Sequence, residues 1–224
     1  YLLLYPGLGS FPGLLGWTSQ GRYENEVKTA EESFKPLYDA YLATPIDELV
    51  QNADAMGTAK RLYSTNCAIC HGADARGATG FPNLRDNDWV WGGDEAAVKA
   101  TLVNGRNAVM PGWIGVIGEE GVNAASEYVY SLTRDPLNPA LVDAGKQHYD
   151  TLCAACHGAD AKGNIALGAP NLTDDIWLYG GSLGAIRQTL TSGRNGVMPA
   201  FGENLTESQI HLLTAYLQSI GEGE

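Results

Sequence analysis

The residues with the most distinctive chemistry are four cysteines and two histidines that form a repeated motif. CAICH spans residues 67–71 and CAACH spans residues 153–157. The reactive side chains are Cys67, Cys70 and His71 in the first run and Cys153, Cys156 and His157 in the second. A Cys-x-x-Cys-His run is the attachment signature of c-type haem, because both thiols reach vinyl groups on one porphyrin edge and the histidine turns to the iron. The motif predicts two covalently attached haems with His71 and His157 as iron ligands.

Three other uses of these cysteines are less consistent with the sequence. A zinc ribbon needs its two cysteine pairs much closer together in the chain. A thioredoxin-like redox pair does not need a histidine directly after both pairs. A disulfide within each Cys-x-x-Cys would be a strained structural link.

The sixth iron ligand is predicted from two of the three methionines, which stand in matching runs, AVMPGW and GVMPAF. Met110 follows His71 and Met198 follows His157 at similar spacing. This spacing pairs each methionine with the histidine of its own repeat. A thioether on iron raises the reduction potential and closes the iron to other ligands. The alternative is that both methionines fill gaps in the core.

Other repeated residues are candidates to hold the rest of each haem. We expect the carbonyls of Pro82 and Pro170 to accept from the ligand imidazoles, which would fix their orientation. Donors for the haem propionates are predicted from repeated side chains: Arg106, Arg194, Trp89 and Trp177. Plain core packing of both tryptophans is an equal alternative. His148 and His211 are not repeated, which favours packing roles, with iron ligation by His148 in a swapped arrangement as a minor alternative.

The chain is an internal duplication. CAICHGADARG recurs as CAACHGADAKG, and NGRNAVMP recurs as SGRNGVMP. The repeats delimit copy one, residues 57–134, and copy two, residues 141–224, joined by a proline-containing linker over 135–140. Residues 1–56 precede them as a segment with a solvated helix, which Pro36 and Pro45 should interrupt.

Each copy reads as mostly helical with long loops. Apolar spacing predicts helices over 60–66 and 146–152 before the cysteines, and over 95–104 and 183–192 after the Gly-Gly pairs. Gly105 and Gly193 should cap the latter two helices. Thr206 and Gln209 form a capping box before the last helix, whose weaker counterpart in copy one is 123–132.

Charge and hydropathy exclude some classes of function. The chain carries 26 acidic and 14 basic side chains, a net charge of −12, so it lacks the basic footprint of a nucleic-acid binder. No stretch reads as a secretory signal peptide or as a complete transmembrane helix. The uncharged opening run YLLLYPGLGSFPGLLGW is either the exit of a membrane anchor or an apolar strap packed on the protein.

These motifs resemble class I cytochrome c, twice over. Gly145 and Tyr149 on the first helix, the Cys-x-x-Cys-His, Pro-Asn-Leu and Met-Pro runs, and Tyr216 on the last helix all match that family. The resemblance implies an all-α fold of two tandem cytochrome c domains, each wrapping one haem, after an N-terminal helical extension. Ala59 replaces the expected glycine in copy one, which implies a wider crossing of its first and last helices.

The whole chain more specifically resembles the di-haem subunit, subunit III, of cbb3-type cytochrome c oxidases. YPGLGSFPGLLGWTS, DNDWVWGG and NGRNAVMPGW carry that resemblance. It implies a location on the periplasmic face of the bacterial inner membrane, held by an anchor that precedes the residues printed here. It also implies three partners: a donor cytochrome c, the mono-haem cytochrome c subunit and the catalytic subunit.

The expected function is electron transfer from a soluble donor cytochrome to the catalytic part of the oxidase, with no chemistry of its own. One alternative is a free periplasmic di-haem shuttle. A second alternative is a di-haem peroxidase, which would need an open iron with an acid or base beside it. The two Met-Pro runs argue against an open iron.

Overall fold

The computed structural model describes Tyr1, residues 4–5 and residues 13–221. Residues 2–3 and 6–12 of the apolar opening run lie outside the described residues. The chain divides into two compact units, residues 1–45 and 46–224. None of the helices among the described residues is long and apolar enough to cross a membrane.

The first unit contains one long helix, α1 (Ser19–Ala43). Thr18 caps it by accepting from the backbone N–H of Gly21 at 2.9 Å, which satisfies one of the free donors of the first turn. The predicted interruption at Pro36 is wrong, because Pro36 lies inside the helix. The prediction of a solvated helix is confirmed, since its side chains are largely exposed.

The second unit is built from helices and one two-stranded antiparallel ribbon. Its elements are α2 (Ile46–Leu49), α3 (Ala53–Asn66), α4 (Ala68–His71), α5 (Glu95–Asn104), β1 (Arg106–Met110), α6 (Ile114–Ser131), a 3-10 turn (Pro139–Leu141), α7 (Val142–His148), a π-turn (Tyr149–Cys153), α8 (Ala154–His157), α9 (Leu183–Ser192), β2 (Arg194–Met198) and α10 (Glu207–Gly221).

The helices α5 and α9 have the bounds that the sequence predicts. Asp94 and Ser182 cap their first turns by accepting from the backbone N–H three residues later, at 3.0 and 3.2 Å. Gly105 and Gly193 end them with φ of +67° and +73°, a region that favours glycine. The capping box of α10 is also present, since Thr206 N–H donates to Gln209 Oε1 at 2.9 Å.

Each of the two hydrophobic cores combines residues from both copies. Core one joins α3 and α5 of copy one to α10 of copy two, and contains Tyr63, Cys67, Val98, Leu102, Ile210, Leu213 and Leu217. Core two joins α9 and the π-turn of copy two to α6 of copy one, and contains Val122, Ala125, Val129, Tyr149, Ala161, Ile186 and Leu190. The last helices are therefore exchanged between the copies, whereas the sequence predicts a self-contained domain for each.

The ribbon forms where the chain segment after α5 crosses the chain segment after α9. β1 and β2 pair with Ala108 opposite Gly196 at the centre of the register. Past the crossing, Trp113 N–H donates to Leu190 O at 2.6 Å, and Phe201 N–H donates to Leu102 O at 2.9 Å. These equivalent bonds fasten each crossing segment onto the other copy's helix.

A buried carboxylate holds the linker between the copies. Glu127 on α6 is 1% exposed and accepts from the backbone N–H groups of Leu137 and Asn138 at 3.0 and 3.2 Å. Arg187 on α9 lies 3.6 Å from the same carboxylate. One side chain thus ties α6, the linker and α9 together.

Candidate haem sites

Each ligand histidine is held by one turn of helix and one carbonyl. His71 ends α4 and His157 ends α8, so each follows directly on its cysteines. The rings are 8% and 7% exposed, and their Nδ1 atoms lie 3.0 Å from the carbonyl oxygens of Pro82 and Pro170. These predicted contacts are confirmed. An Nδ1–H donated to a carbonyl leaves Nε2 with its lone pair for a metal.

Burial shifts the pKa of one ligand histidine and of two of the cysteines. It lowers the pKa of His157, against the opposing effect of the Pro170 carbonyl, so the neutral imidazole is favoured. Burial, followed by the neighbouring cysteine, raises the pKa of Cys67 and of Cys153 to about 11. All four cysteines are free thiols, which contradicts the disulfide alternative.

The two repeated methionines pack on exchanged cores. Met198 of copy two lies against core one, which contains Cys67, and Met110 of copy one lies against core two, against which Cys153 also packs. The spacing predicts that each methionine lies with the histidine of its own repeat. The packing shows that this prediction is wrong, because each methionine packs on the core of the other repeat's motif. Each strand begins beside the core of its own copy and ends beside the other core. The methionine at the end of each strand therefore packs on the other core.

The register of the ribbon gives each site one arginine and one methionine from different strands. Arg106 pairs with Met198, and Arg194 pairs with Met110. A Cβ at Gly105 would collide with the carbonyl oxygen of Met198, and one at Gly193 with that of Met110. The close approach of the two strands therefore requires both glycines.

The repeated arginines are oriented by their own copy. Arg106 Nε donates to Thr101 Oγ1 at 2.8 Å, and Arg194 Nε donates to Thr189 Oγ1 at 3.0 Å. Among the described residues, no carboxylate forms an ion pair with either arginine. Two half-buried guanidinium groups without a protein counter-ion leave donors for an anionic ligand.

The repeated tryptophans pack closely on the Gly-Gly pairs. A Cβ at Gly93 would collide with the Trp89 ring, and one at Gly181 would lie 2.7 Å from the Trp177 ring. Trp177 Nε1 donates to the carbonyl of Asp174 at 3.1 Å, which uses the only polar atom of that side chain. This contact favours the packing interpretation for Trp177.

Two further aromatic residues contact the repeated arginines and are not predicted from the sequence. Trp91 and Tyr179 lie against Arg106 and Arg194 respectively. Their positions correspond in the repeat, two residues after Trp89 and Trp177, and this correspondence was the signal that could have found them.

The unrepeated histidines lie on α7 and α10. His148 ends α7 and faces α6, where its Nε2 would lie 3.2 Å from a Cβ at Gly121. His211 is buried within α10. Across residues 13–221 and the described opening residues, no three His, Cys, Asp or Glu side chains form a group that could hold a metal ion.

The residues present fit a c-type haem in chemistry and placement. Each site brings together two thiols, an imidazole oriented through its Nδ1, a thioether on the same core and an unpaired guanidinium. Nitrogen and thioether ligands on opposite faces are a known ligation of haem iron, and arginine suits the carboxylates on a porphyrin edge.

Comparison with known proteins agrees with these features over nearly the whole chain. The family model described as cytochrome c oxidase, cbb3-type, subunit III, matches residues 54–129 and again 140–217. The chain is 43% identical over 223 residues to the Cbb3-type cytochrome c oxidase subunit CcoP of Rubrivivax gelatinosus, covering 99% of this chain and 73% of that protein. It is 35% identical over 240 residues to the subunit FixPc of Rhizobium leguminosarum bv. viciae, covering 100% of this chain and 84% of that protein.

The double match confirms two cytochrome c units in an all-α fold, with the ribbon as its only strands among the described residues. The two matched segments follow the two copies of the repeat. The chain belongs to the family of subunit III of cbb3-type cytochrome c oxidases.

Proposed function

We propose that this chain transfers single electrons through two covalently attached c-type haems as a subunit of a cbb3-type oxidase. The observation that carries the proposal is the pair of sites, each with an oriented histidine, two thiols and a methionine that packs on the neighbouring core. The relatives, which are named as subunits of such oxidases, supply the assembly.

The first site takes its residues from both copies. Cys67 and Cys70 would hold the haem by thioethers, and His71 and Met198 would bind its iron. The Pro82 carbonyl accepts from His71 at 3.0 Å and prevents the ring from rotating.

The second site combines the two copies in the opposite way: its cysteines and histidine come from copy two, and its methionine comes from copy one. Cys153 and Cys156 would provide the thioethers, and His157 and Met110 would bind the iron. When bound, each haem supplies an iron that alternates between Fe(II) and Fe(III) and so stores one electron. Methionine ligation would close each iron to other ligands, so the chain is proposed to have no catalytic chemistry of its own.

We infer that a donor cytochrome c, the mono-haem subunit and the catalytic subunit are the partners, at the periplasmic face of the membrane. The net charge of −12 favours a donor with a basic docking surface. Such an encounter should slow as salt is added, because exposed charges are screened.

A redox titration combined with carbon monoxide tests the function. The haem-loaded protein should give two one-electron steps, and its reduced form should not bind carbon monoxide without denaturant. Met110→Ala and Met198→Ala are the positive controls, because each opens one iron. Strong carbon monoxide binding by the unmodified protein would contradict the proposal and favour a peroxidase.

A further inference from the structure

An aromatic ring lies against the guanidinium of each repeated arginine. Arg106 Cζ is 4.8 Å from the centroid of the Trp91 ring, and Arg194 Cζ is 4.5 Å from that of Tyr179. Both stacks occur at corresponding positions of the duplication. The presence of this arginine–ring contact in both copies indicates that it is a feature of each site.

Hydrogen bonds fix the guanidinium in its plane and leave part of it unused. Arg106 donates from Nε to Thr101 and from Nη2 to the carbonyl of Ala97, at 2.8 and 3.3 Å. A guanidinium has five N–H donors in a rigid plane. Two of the five donors are used in these bonds, and three remain.

The ribbon register assigns each arginine to one haem. Arg106 lies opposite Met198, whose side chain packs on the core that contains Cys67. The unused donors of Arg106 therefore belong to the first site, and those of Arg194 to the second. No carboxylate of the described residues competes for them.

The rings are themselves held by the other copy. A Cβ at Gly168, in the loop after the second motif, would collide with the Trp91 ring. On the other side, Gly80 of copy one donates its N–H to the carbonyl of Leu178, next to Tyr179, at 2.9 Å. Each ring is thus confined between its arginine and a loop of the other copy.

We propose that Trp91 and Tyr179 are positioning residues that hold Arg106 and Arg194 against the haem propionates and thereby raise the reduction potentials. A cation is attracted to the face of an aromatic ring, more strongly when water is excluded. A positive charge fixed near the propionates favours the form of the iron that carries the extra electron. The proposal rests on the proposed function, since it requires haem at both sites.

The test is Trp91→Leu in the haem-loaded protein, followed by potentiometric titration. The equilibrium constant for reducing the haem at Cys67 and Cys70 should fall about three- to tenfold, where tenfold is 59 mV for one electron. The other haem should keep its potential. The N–H of Arg106 Nε should also exchange faster with solvent by NMR, because the guanidinium is no longer confined.

Three further variants separate positioning from packing. Tyr130→Leu is the matched control, because that ring lies 5.6 Å from Arg134, which already pairs with Asp175 at 3.0 Å. It should leave both potentials unchanged. Trp91→Phe keeps a ring and should give a smaller fall, which covers the case that Trp91→Leu does not fold. In an Arg106→Gln background, Trp91→Leu should lower the potential no further.

An unchanged potential and unchanged Arg106 exchange in Trp91→Leu would overturn the proposal. An equal fall in the Arg106→Gln background would also overturn it, because the ring would then act without the arginine. Failure of the proposed function is distinguishable, since it shows in the unmodified protein as the lack of two one-electron steps.

Discussion

A buried tyrosine supports the loop after each cysteine–histidine motif. Tyr63 and Tyr149 are 1% and 0% exposed, and they donate to the carbonyls of Gly72 and Gly158 at 2.7 and 2.6 Å. Burial, followed by the nearby cysteine, raises the pKa of each hydroxyl to about 12. Each hydroxyl therefore remains a donor throughout the neutral range, directly beside the ligand histidine.

Tyr149→Phe should lower the free energy of unfolding by about 1–2 kcal/mol, because the Gly158 carbonyl loses its buried donor. Denaturant unfolding of the haem-loaded protein measures this. Because the pKa of Tyr149 is raised to about 12, the stabilising effect of its hydroxyl is complete below pH 10 and is lost as the pH rises toward 12. Over that pH range, the free energy of unfolding should therefore fall less in Tyr149→Phe than in the unmodified protein. Tyr23→Phe on exposed α1 is the control, and an equal loss in both variants would contradict this role.

At the scale of elements, α6 and α7 cross in close contact at Gly145. A Cβ at Gly145 would collide with the carbonyl of Ala124 and lie 2.7 Å from Tyr128 Cβ. The rings of Tyr128 and Tyr149 meet at the same crossing with centroids 5.2 Å apart. The glycine expected from cytochrome c is therefore used between copies, and not within copy two.

Gly145→Ala should destabilise the protein by about 1–3 kcal/mol, because the added methyl forces the two helices apart. Gly184→Ala is the matched control, since that exposed helical position has no atom within 4 Å of the new Cβ. It should stabilise by about 0.5–1 kcal/mol through lower entropy of the unfolded chain. Thermal unfolding of both variants tests this prediction. Equal effects of the two substitutions on stability would contradict a close crossing of α6 and α7 at Gly145.

The sequence predicts the local structure well, but it does not predict on which of the two cores each strand and methionine packs. The helices α5 and α9 match to the residue, because their caps and glycines act locally. The strands β1 and β2 lie where the sequence predicts only long loops, because five residues show too little periodicity. NGRNAVMP and SGRNGVMP are so alike that either strand satisfies either core, and exchange of identical elements costs little. Spacing alone therefore assigned each methionine to the wrong core.

At the scale of the whole molecule, the exchange makes the two cores interdependent. β1 and β2 each begin at one core and end at the other, and α6 and α10 follow them. A disturbance of one core therefore reaches the other through the ribbon. Two independent domains joined by a linker would not share stability in this way.

Gly145→Ala, which perturbs core two, should also reduce the amide hydrogen-exchange protection of core-one residues such as Leu213. Shared strands make both cores open in one cooperative unit. Native-state hydrogen exchange of the haem-loaded protein measures both cores at once, with Gly184→Ala as the control. Reduced protection at Ile186 but unchanged protection at Leu213 would show that the cores open separately.

The central claim is that each haem iron is bound by the histidine of one copy and the methionine of the other. NMR of the reduced, haem-loaded protein tests it, because the ε-methyl of an iron-bound methionine is shifted by the ring current of its haem. The signal lost in Met198→Ala should show nuclear Overhauser contacts to the haem attached at Cys67 and to Leu102. The signal lost in Met110→Ala should show contacts to the haem at Cys153 and to Leu190. Contacts of the Met198 methyl with the haem at Cys153 would contradict the exchanged ligation.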